Sequence, residues 1–198
     1  MLSIRRNRSN GKATIEDLVS VFIPRLEAIR SGSYKPAWMP FTQAVKDVVH
    51  FAEETDFFIV AARPGEGKSS FARFEAFRAA EQGKHVVIFN LENDPIEYAK
   101  AMIALDTGID SAKLKNSTLL TPEELERVKL SAQKVSKMPI LIHTCPGISG
   151  PGLHQLARRV ITENKTSIIF VDYIQLMNNG NENKVQDVAK SSQSLRSL

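Results

Sequence analysis

The sequence contains a single cysteine, Cys145, and it has no apolar run that approaches the length of a membrane-spanning helix. One thiol excludes a disulfide within the chain and a zinc site built from cysteines. A membrane helix needs about 20 consecutive apolar residues, and the basic start of the chain is not followed by the apolar core of a signal peptide. These absences predict a cytoplasmic protein that makes no membrane contact.

The chain also has little net charge outside its start. Residues 1–35 hold seven Lys and Arg against three Asp and Glu, whereas the rest of the chain holds nineteen of each. The net charge of +4 therefore indicates a basic arm and does not by itself indicate a nucleic-acid-binding groove. Residues 1–13 are polar and basic, and we predict that they form a disordered tail.

The stretch FFIVAARPGEGKSS at 57–70 has the pattern of a phosphate-binding loop. Its apolar start, 57–61, predicts a short buried strand, and the glycine-rich turn leads into a helix. In such a loop, backbone N–H groups and the helix N-terminus surround phosphate oxygens. Lysine reaches the β- and γ-phosphates and the serine hydroxyl binds Mg²⁺. The predicted nucleotide-binding residues, with ATP as the ligand, are Ala62, Arg63, Pro64, Gly65, Glu66, Gly67, Lys68, Ser69 and Ser70.

Ala62 occupies the position where this pattern usually has its first glycine. Alanine fits there only if the backbone does not need a positive φ. A nucleotide-binding loop at this position therefore requires that the φ angle of Ala62 is not positive.

Two carboxylates each follow a predicted strand. Asp172 ends an apolar run, where P-loop ATPases place the acid that organises Mg²⁺, so we predict Ser69 and Asp172 as metal ligands. Glu92 follows another buried strand, and the carboxyl ends of parallel strands face the ligand crevice. We predict that Glu92 activates the attacking water and that Lys68 is the second catalytic residue. Gln175, three residues past Asp172, is a candidate γ-phosphate sensor or DNA contact.

Helices and strands alternate along the chain, and this predicts a mostly parallel, three-layer α/β sheet. An amphipathic helix precedes it, interrupted by Pro24 and followed by a linker-like segment. We predict three regions: the tail at 1–13, the helix and linker at 14–35, and an ATPase domain at 36–198. The predicted strands are 57–61, 85–91, 139–143 and 167–172. The predicted helices are 14–31, 41–55, one from the phosphate loop to 82, 95–106, 122–137, 152–164 and one after 184, with a loop at 107–117.

Four segments, ARPGEGKSS, FNLEND, CPGISGPGLHQLARRV and VDYIQLM, resemble in this order the RecA-like motor domain of DnaB-type replicative helicases. The resemblance covers about residues 55–198. It implies an ATP-hydrolysing subunit of a hexameric ring that moves along single-stranded DNA and unwinds duplexes during replication. Primase or a helicase loader are further implied partners, and the helix at 14–31 resembles the one with which a subunit grips its neighbour.

The resemblance also assigns roles to residues. It implies that Lys68 and Ser69 bind the nucleotide and Mg²⁺, and that Asp172 holds Mg²⁺. Glu92 matches the catalytic base, and Gln175 matches a residue that couples nucleotide to DNA. A DNA-contacting loop is expected at 178–184.

The sequence departs from the family at both ends. It lacks the helical N-terminal domain, and it stops in the helix after Asp172, before the strand, second DNA loop and arginine finger. We therefore expect a fragment or a natural short form that binds nucleotide, hydrolyses it slowly and unwinds no duplex. Two alternatives stay open: a nucleotide-binding ring partner that modulates a helicase, and another P-loop enzyme such as a small-molecule kinase.

Overall fold

The computed structural model describes residues 14–53, 56–92, 94–177, 192–193 and 195–196. The chain divides into two units, one ending at Pro36 and one beginning at Ala37. The predicted tail at 1–13 and the predicted DNA-contacting loop at 178–184 lie outside the described residues. The predicted last helix falls almost wholly outside them.

The first unit contains helix α1 (Ile15–Arg30). Its start is fixed by Thr14, whose Oγ1 accepts from the Asp17 N–H at 3.2 Å while the Asp17 carboxylate accepts from the Thr14 N–H at 2.9 Å. The helix continues through Pro24 instead of dividing there. None of its side chains is buried, so its apolar stripe is exposed. No helix among the described residues is long and apolar enough to cross a membrane.

A parallel three-stranded sheet lies at the centre of the second unit. Strand β1 (Val86–Asn90) lies between β2 (Ile140–Thr144) and β3 (Ile168–Asp172). All five β1 side chains are buried, as expected for a parallel strand covered on both faces. Asn90 is paired with Thr144 on one side and with Asp172 on the other. The carboxyl ends of the three strands therefore form one edge of the sheet.

Helices cover both faces of this sheet. Phe77, Tyr98 and Met102 pack with Val86 and Ile88 on one face. On the other face, Leu153, Ala157 and Val160 pack with Val87 and Phe89. The predicted three-layer α/β fold is thus confirmed. The helices of this unit are α2 (Gln43–Lys46), α3 (Lys68–Glu81), α4 (Ile96–Thr107), α5 (Ser111–Lys115), α6 (Pro122–Val135) and α7 (Gly150–Asn164).

The predicted strand at 57–61 is wrong. These residues carry no strand pairing, and their side chains are exposed, Ile59 by 61% and Val60 by 55%. Apolar residues form a strand only where their backbone finds a partner. Among the described residues, β3 is paired with β1 alone.

Two further predictions were wrong in extent. The helix predicted at 41–55 is reduced to the four residues of α2, because the chain then returns to form an antiparallel bridge between Ala52 and Trp38. The loop predicted at 107–117 contains α5, because the Asp110 side chain accepts from the Ala112 N–H at 2.8 Å and caps a short helix. The other predicted strands and helices of the described chain form within a few residues of the expected bounds.

Candidate nucleotide-binding site

The candidate phosphate loop, residues 62–70, leads directly into helix α3. Gly65 and Gly67 have φ values of +82° and +87°, in the left-handed region that favours glycine. Gly67 is the N-cap of α3, so Lys68 is its first residue. The φ angle of Ala62 is not positive, so alanine can occupy the position where the pattern usually has its first glycine. Residues 62–67 are exposed, as a loop that receives a ligand from solvent must be.

Lys68 is folded back over its own loop. Its Nζ donates to the carbonyl oxygen of Ala62 at 2.8 Å and to that of Arg63 at 3.1 Å. The Glu66 carboxylate accepts from the Arg63 N–H at 3.1 Å and holds the same turn. The ammonium group thus lies where the loop begins, with its charge satisfied by main-chain oxygens.

Ser69 and Asp172 are brought into direct contact, although 103 residues separate them in the sequence. The Ser69 hydroxyl donates to Asp172 Oδ1 at 2.8 Å. Asp172 is the last residue of β3 and is only 4% exposed. The end of β3 therefore places the Asp172 carboxylate against the candidate phosphate loop, as predicted from the sequence.

The second oxygen of Asp172 is bound by a residue that the sequence analysis missed. The hydroxyl of Tyr98, on α4, donates to Asp172 Oδ2 at 2.6 Å. Burial of Tyr98, followed by its hydrogen bond to the Asp172 carboxylate, raises the pKa of the phenol well above its ordinary value. The Arg73 guanidinium carbon lies 4.6 Å from the centre of the Tyr98 ring.

Both residues carried a signal in the sequence. Tyr98 lies four residues before Met102 on the apolar face of a helix, and a buried tyrosine hydroxyl needs a hydrogen-bond partner. Arg73 lies four residues after Ser69, on the same face of α3.

Glu92 lies at the same edge of the sheet, just beyond β1. Its backbone N–H donates to Asn90 Oδ1 at 3.0 Å, and the N–H of Leu91 donates to the carbonyl oxygen of Asp172 at 2.9 Å. The Glu92 side chain is exposed. Gln175 is also exposed, in a 3₁₀ turn at Ile174–Leu176. The structure thus joins Ser69 to Asp172, whereas no hydrogen bond among the described contacts joins the side chain of Glu92 or Gln175 to either.

The donor set suits a magnesium ion. The Ser69 hydroxyl and the Asp172 carboxylate are hard oxygen ligands, and Mg²⁺ is commonly held by one or two protein oxygens, with phosphates and waters completing its shell. Within the described residues, no group of three or more His, Cys, Asp and Glu side chains could hold a metal ion by itself. The site therefore fits a metal that arrives with a nucleotide.

The helix-covered parallel sheet, with a phosphate loop opening α3 and Asp172 at the sheet edge, defines a RecA-like P-loop NTPase domain. Two solved structures share the fold. A DnaB-like replicative helicase, whose structure was determined with its interactions with primase, has a TM-score of 0.76 over 94% of this chain and 45% of that chain, at 22% identity. The ATPase domain of G40P has a TM-score of 0.77 over 94% of this chain and 66% of that chain, at 23% identity.

The chain belongs to the DnaB-like helicase C-terminal domain family, whose model matches residues 43–198. The replicative DNA helicase DnaB of Nostoc sp. strain PCC 7120 is 32% identical over 149 residues, which are 74% of this chain and 17% of that protein. DnaB of Geobacillus stearothermophilus is 28% identical over 200 residues, 98% of this chain and 44% of that protein. The chain spans less than half the length of either relative. The predicted family is confirmed, and it implies a nucleotide-binding domain.

Proposed function

We propose that this chain is the ATP-binding motor domain of a replicative DNA helicase, which couples ATP hydrolysis to movement along single-stranded DNA and to duplex unwinding. The proposal rests above all on the 2.8 Å hydrogen bond between Ser69 and Asp172. It joins the phosphate loop to the strand-end carboxylate, the two groups with which P-loop ATPases hold the metal of a bound nucleotide. Membership of the DnaB-like helicase family supports DNA as the polymer along which the motor moves.

Each predicted residue has a role in this proposal. Backbone N–H groups of the 62–70 loop bind the phosphates, except at Pro64, which has none, and at Arg63, whose N–H donates to the Glu66 carboxylate. Lys68 exchanges its two loop carbonyls for β- and γ-phosphate oxygens. Ser69 and Asp172 hold Mg²⁺, which neutralises negative charge on the phosphates when bound. Glu92 takes a proton from the attacking water.

The proposed partners follow from the family and not from a contact in this chain. They are single-stranded DNA, reached through Gln175, further copies of the chain in a hexameric ring, and primase or a helicase loader. The solved DnaB-like helicase with its primase interactions supports primase as a candidate. The proposed compartment is the cytoplasm, where a bacterial-type replication enzyme meets its DNA.

Nucleotide binding is the first test of the proposal. Lys68→Ala removes the cation nearest to the terminal phosphates and should weaken ATP affinity by at least about tenfold, since a hydrogen bond to a charged group contributes about 1.5–3 kcal/mol. Isothermal titration calorimetry measures the affinity. Lys129→Ala is the matched control, because Lys129 lies on α6 and pairs with the exposed Glu126 of the same helix. Equal affinities for Lys68→Ala and the parent chain would refute the nucleotide site.

The second test concerns DNA. ATP should increase the affinity of the chain for a single-stranded oligonucleotide, measured by fluorescence anisotropy, and Lys68→Ala should abolish that increase. Transfer of the γ-phosphate to a small-molecule acceptor, with no response to DNA, would instead identify a kinase.

A further inference from the structure

Tyr98 connects to Asp172 from a part of the chain that the predicted site does not include. Asp172 is 4% exposed, and a carboxylate so far removed from water needs hydrogen-bond donors on its oxygens. It receives one on each: the Ser69 hydroxyl at 2.8 Å on Oδ1 and the Tyr98 hydroxyl at 2.6 Å on Oδ2. The two donors fix the plane of the carboxylate.

The Tyr98 hydroxyl is itself held by a rigid environment. The residue is 1% exposed and packs in the core with Phe77, Ile88 and Met102. The Arg73 guanidinium lies over its ring. Because the ring is packed, the Tyr98 hydroxyl stays in one place. The Asp172 carboxylate can accept its hydrogen bond in only one orientation.

The hydrogen bond from Tyr98 is also one of two that connect residues on either side of Glu92 to Asp172. On one side, the Leu91 N–H donates to the main-chain oxygen of Asp172 at 2.9 Å. On the other side, Tyr98 donates to the Asp172 carboxylate. Leu91 and Tyr98 are thus both attached to Asp172, and Glu92 lies between these two attachments in the sequence.

We propose that Tyr98 is a positioning residue of the nucleotide site: its hydroxyl holds Asp172 Oδ2 so that Oδ1 and the Ser69 hydroxyl face the magnesium ion, and it ties the Glu92 segment to that carboxylate. The inference rests on the proposed nucleotide site and adds to it the group that orients the metal ligand. Tyr98 is 1% exposed and so offers a nucleotide almost no surface, which means that its effect must pass through Asp172.

The test compares ADP affinity with and without magnesium. For the parent chain and for Tyr98→Phe, the dissociation constant of ADP is measured by calorimetry in Mg²⁺ and in EDTA. Tyr98→Phe keeps the packed ring and removes only the hydroxyl. It should reduce the magnesium-dependent gain in affinity about tenfold, equivalent to about 1.4 kcal/mol. The affinity in EDTA should stay within about twofold of the parent value, because the phosphate loop is untouched.

Met102→Ala is the matched control for a merely structural effect. Met102 lies one turn further along α4 and is buried in the same core, but it makes no hydrogen bond to Asp172 among the described contacts. It should lower thermal stability at least as much as Tyr98→Phe while leaving the magnesium-dependent gain unchanged. An equal loss of that gain in Met102→Ala would overturn the positioning role.

A double-mutant cycle tests whether the effect passes through Asp172. Asp172→Asn should lose most of the magnesium-dependent gain, and adding Tyr98→Phe to it should cause no further loss. A full additional loss would show that the hydroxyl acts elsewhere. An unchanged or larger gain in Tyr98→Phe alone would also sink the inference.

A measurement on the unmutated Tyr98 covers the case in which Tyr98→Phe does not fold. The chain has three tyrosines, so labelling with 3-fluorotyrosine gives three ¹⁹F resonances, which Tyr34→Phe and Tyr173→Phe assign. The Tyr98 resonance should shift when Mg²⁺ is added to the ADP complex, and its failure to shift would contradict the proposal. Failure of this proposal can be distinguished from failure of the nucleotide site. If the parent chain does not bind ADP, the nucleotide site is refuted; if it binds ADP and the Tyr98 results are negative, the positioning role is refuted.

Discussion

Glu92 is the residue on which the proposed chemistry depends most. Its side chain is exposed just beyond the end of β1, at the sheet edge where Asp172 ends β3. Glu92→Gln keeps the size of the side chain and removes the base, so ATP affinity should stay within about twofold of the parent value. In a version of the protein that spans the full length of its relatives, hydrolysis, measured by phosphate release, should fall by about 10²–10⁴, the usual contribution of a positioned general base.

Glu126→Gln is the control for this substitution. Glu126 is an exposed glutamate on α6 that pairs only with Lys129 among the described contacts, and its loss should leave both quantities unchanged. Parental hydrolysis in Glu92→Gln would assign the base to another residue.

Glu75 is a second residue with a testable role, in this case in stability. It lies on α3 and is fully buried. Its carboxylate accepts from the N–H groups of Phe41 and Thr42 at 3.1 and 3.2 Å and from the Thr42 hydroxyl at 2.9 Å. Glu75→Gln presents an amide to at least one of these donors and should lower the free energy of unfolding by about 1–3 kcal/mol. Urea denaturation measures the change.

Glu163→Gln is the matched substitution at the surface. Glu163 lies on α7, is 60% exposed and is 3.9 Å from Arg159, so this change should leave the urea midpoint unaltered. A parental midpoint for Glu75→Gln would mean that the segment at 41–42 is held by other contacts.

At this scale, the sequence predicted residues whose signal is local. The glycines, Lys68 and Ser69 form a contiguous pattern, and Asp172 ends a recognisable apolar run. Tyr98 could not be placed beside Asp172, because that contact spans 74 residues and depends on how α4 packs against the sheet. Asn90 was missed for a similar reason, since its side-chain oxygen supports the Glu92 backbone only once the chain turns after β1.

The helices are joined to one another by a charged cluster at Lys134. Its ammonium group on α6 bonds to the Asp106 carboxylate on α4 and to Glu81 Oε1 on α3 at 3.2 Å. The hydrogen bond from Lys134 holds the pKa of Asp106 below its ordinary value of 3.8. A carboxyl group with a depressed folded-state pKa adds stability that is fully present above its ordinary pKa and is lost as the pH falls through the folded value.

Lys134→Met should therefore produce a small decrease in Tm at neutral pH, small because the lysine is half exposed. The difference from the parent should shrink as the pH falls below 3.8 and through the lower folded-state pKa of Asp106, because the protonated carboxyl group no longer attracts Lys134. Thermal melts followed by circular dichroism across this range measure it. Lys129→Met should leave Tm close to the parent value across this range, since the Lys129–Glu126 pair is exposed and contributes little to stability. A constant difference at all pH values would contradict the assignment.

Among the elements, strands flanked by clear turns and helices with side-chain caps were predicted well. Thr121 and Glu124, for example, form the capping box that starts α6. The strand predicted at 57–61 failed because an apolar run carries no information about whether a pairing edge is available to it. The helix predicted at 41–55 failed because a bridge between Ala52 and Trp38 competes with it.

At the scale of the whole molecule, one strand links the two halves of the core. Ile88 faces the α3 and α4 side of β1, and Phe89 faces the α7 side. Ile88→Ala should cost about 2–5 kcal/mol and Phe89→Ala about 3–5 kcal/mol of unfolding free energy. Because both side chains belong to the same buried strand, either change should destabilise both faces together.

The single tryptophan, Trp38, makes this measurable. It packs against the core on the Ile88 side, so its fluorescence reports one face while circular dichroism reports the whole chain. In Phe89→Ala, the two signals should shift to the same lower denaturant midpoint. A fluorescence midpoint that stays at the parent value while the dichroism midpoint falls would show that the two faces unfold separately.

The folded-back position of Lys68 has an energetic consequence for the proposed nucleotide site. Its ammonium group already donates to the carbonyl oxygens of Ala62 and Arg63, so terminal phosphates have to replace these two acceptors. Lys68 then adds to nucleotide affinity only the difference between its hydrogen bonds to phosphate and its hydrogen bonds to the loop. AMP has no terminal phosphates to replace the carbonyl oxygens, so Lys68→Ala should leave AMP affinity, measured by calorimetry, within about twofold of the parent value.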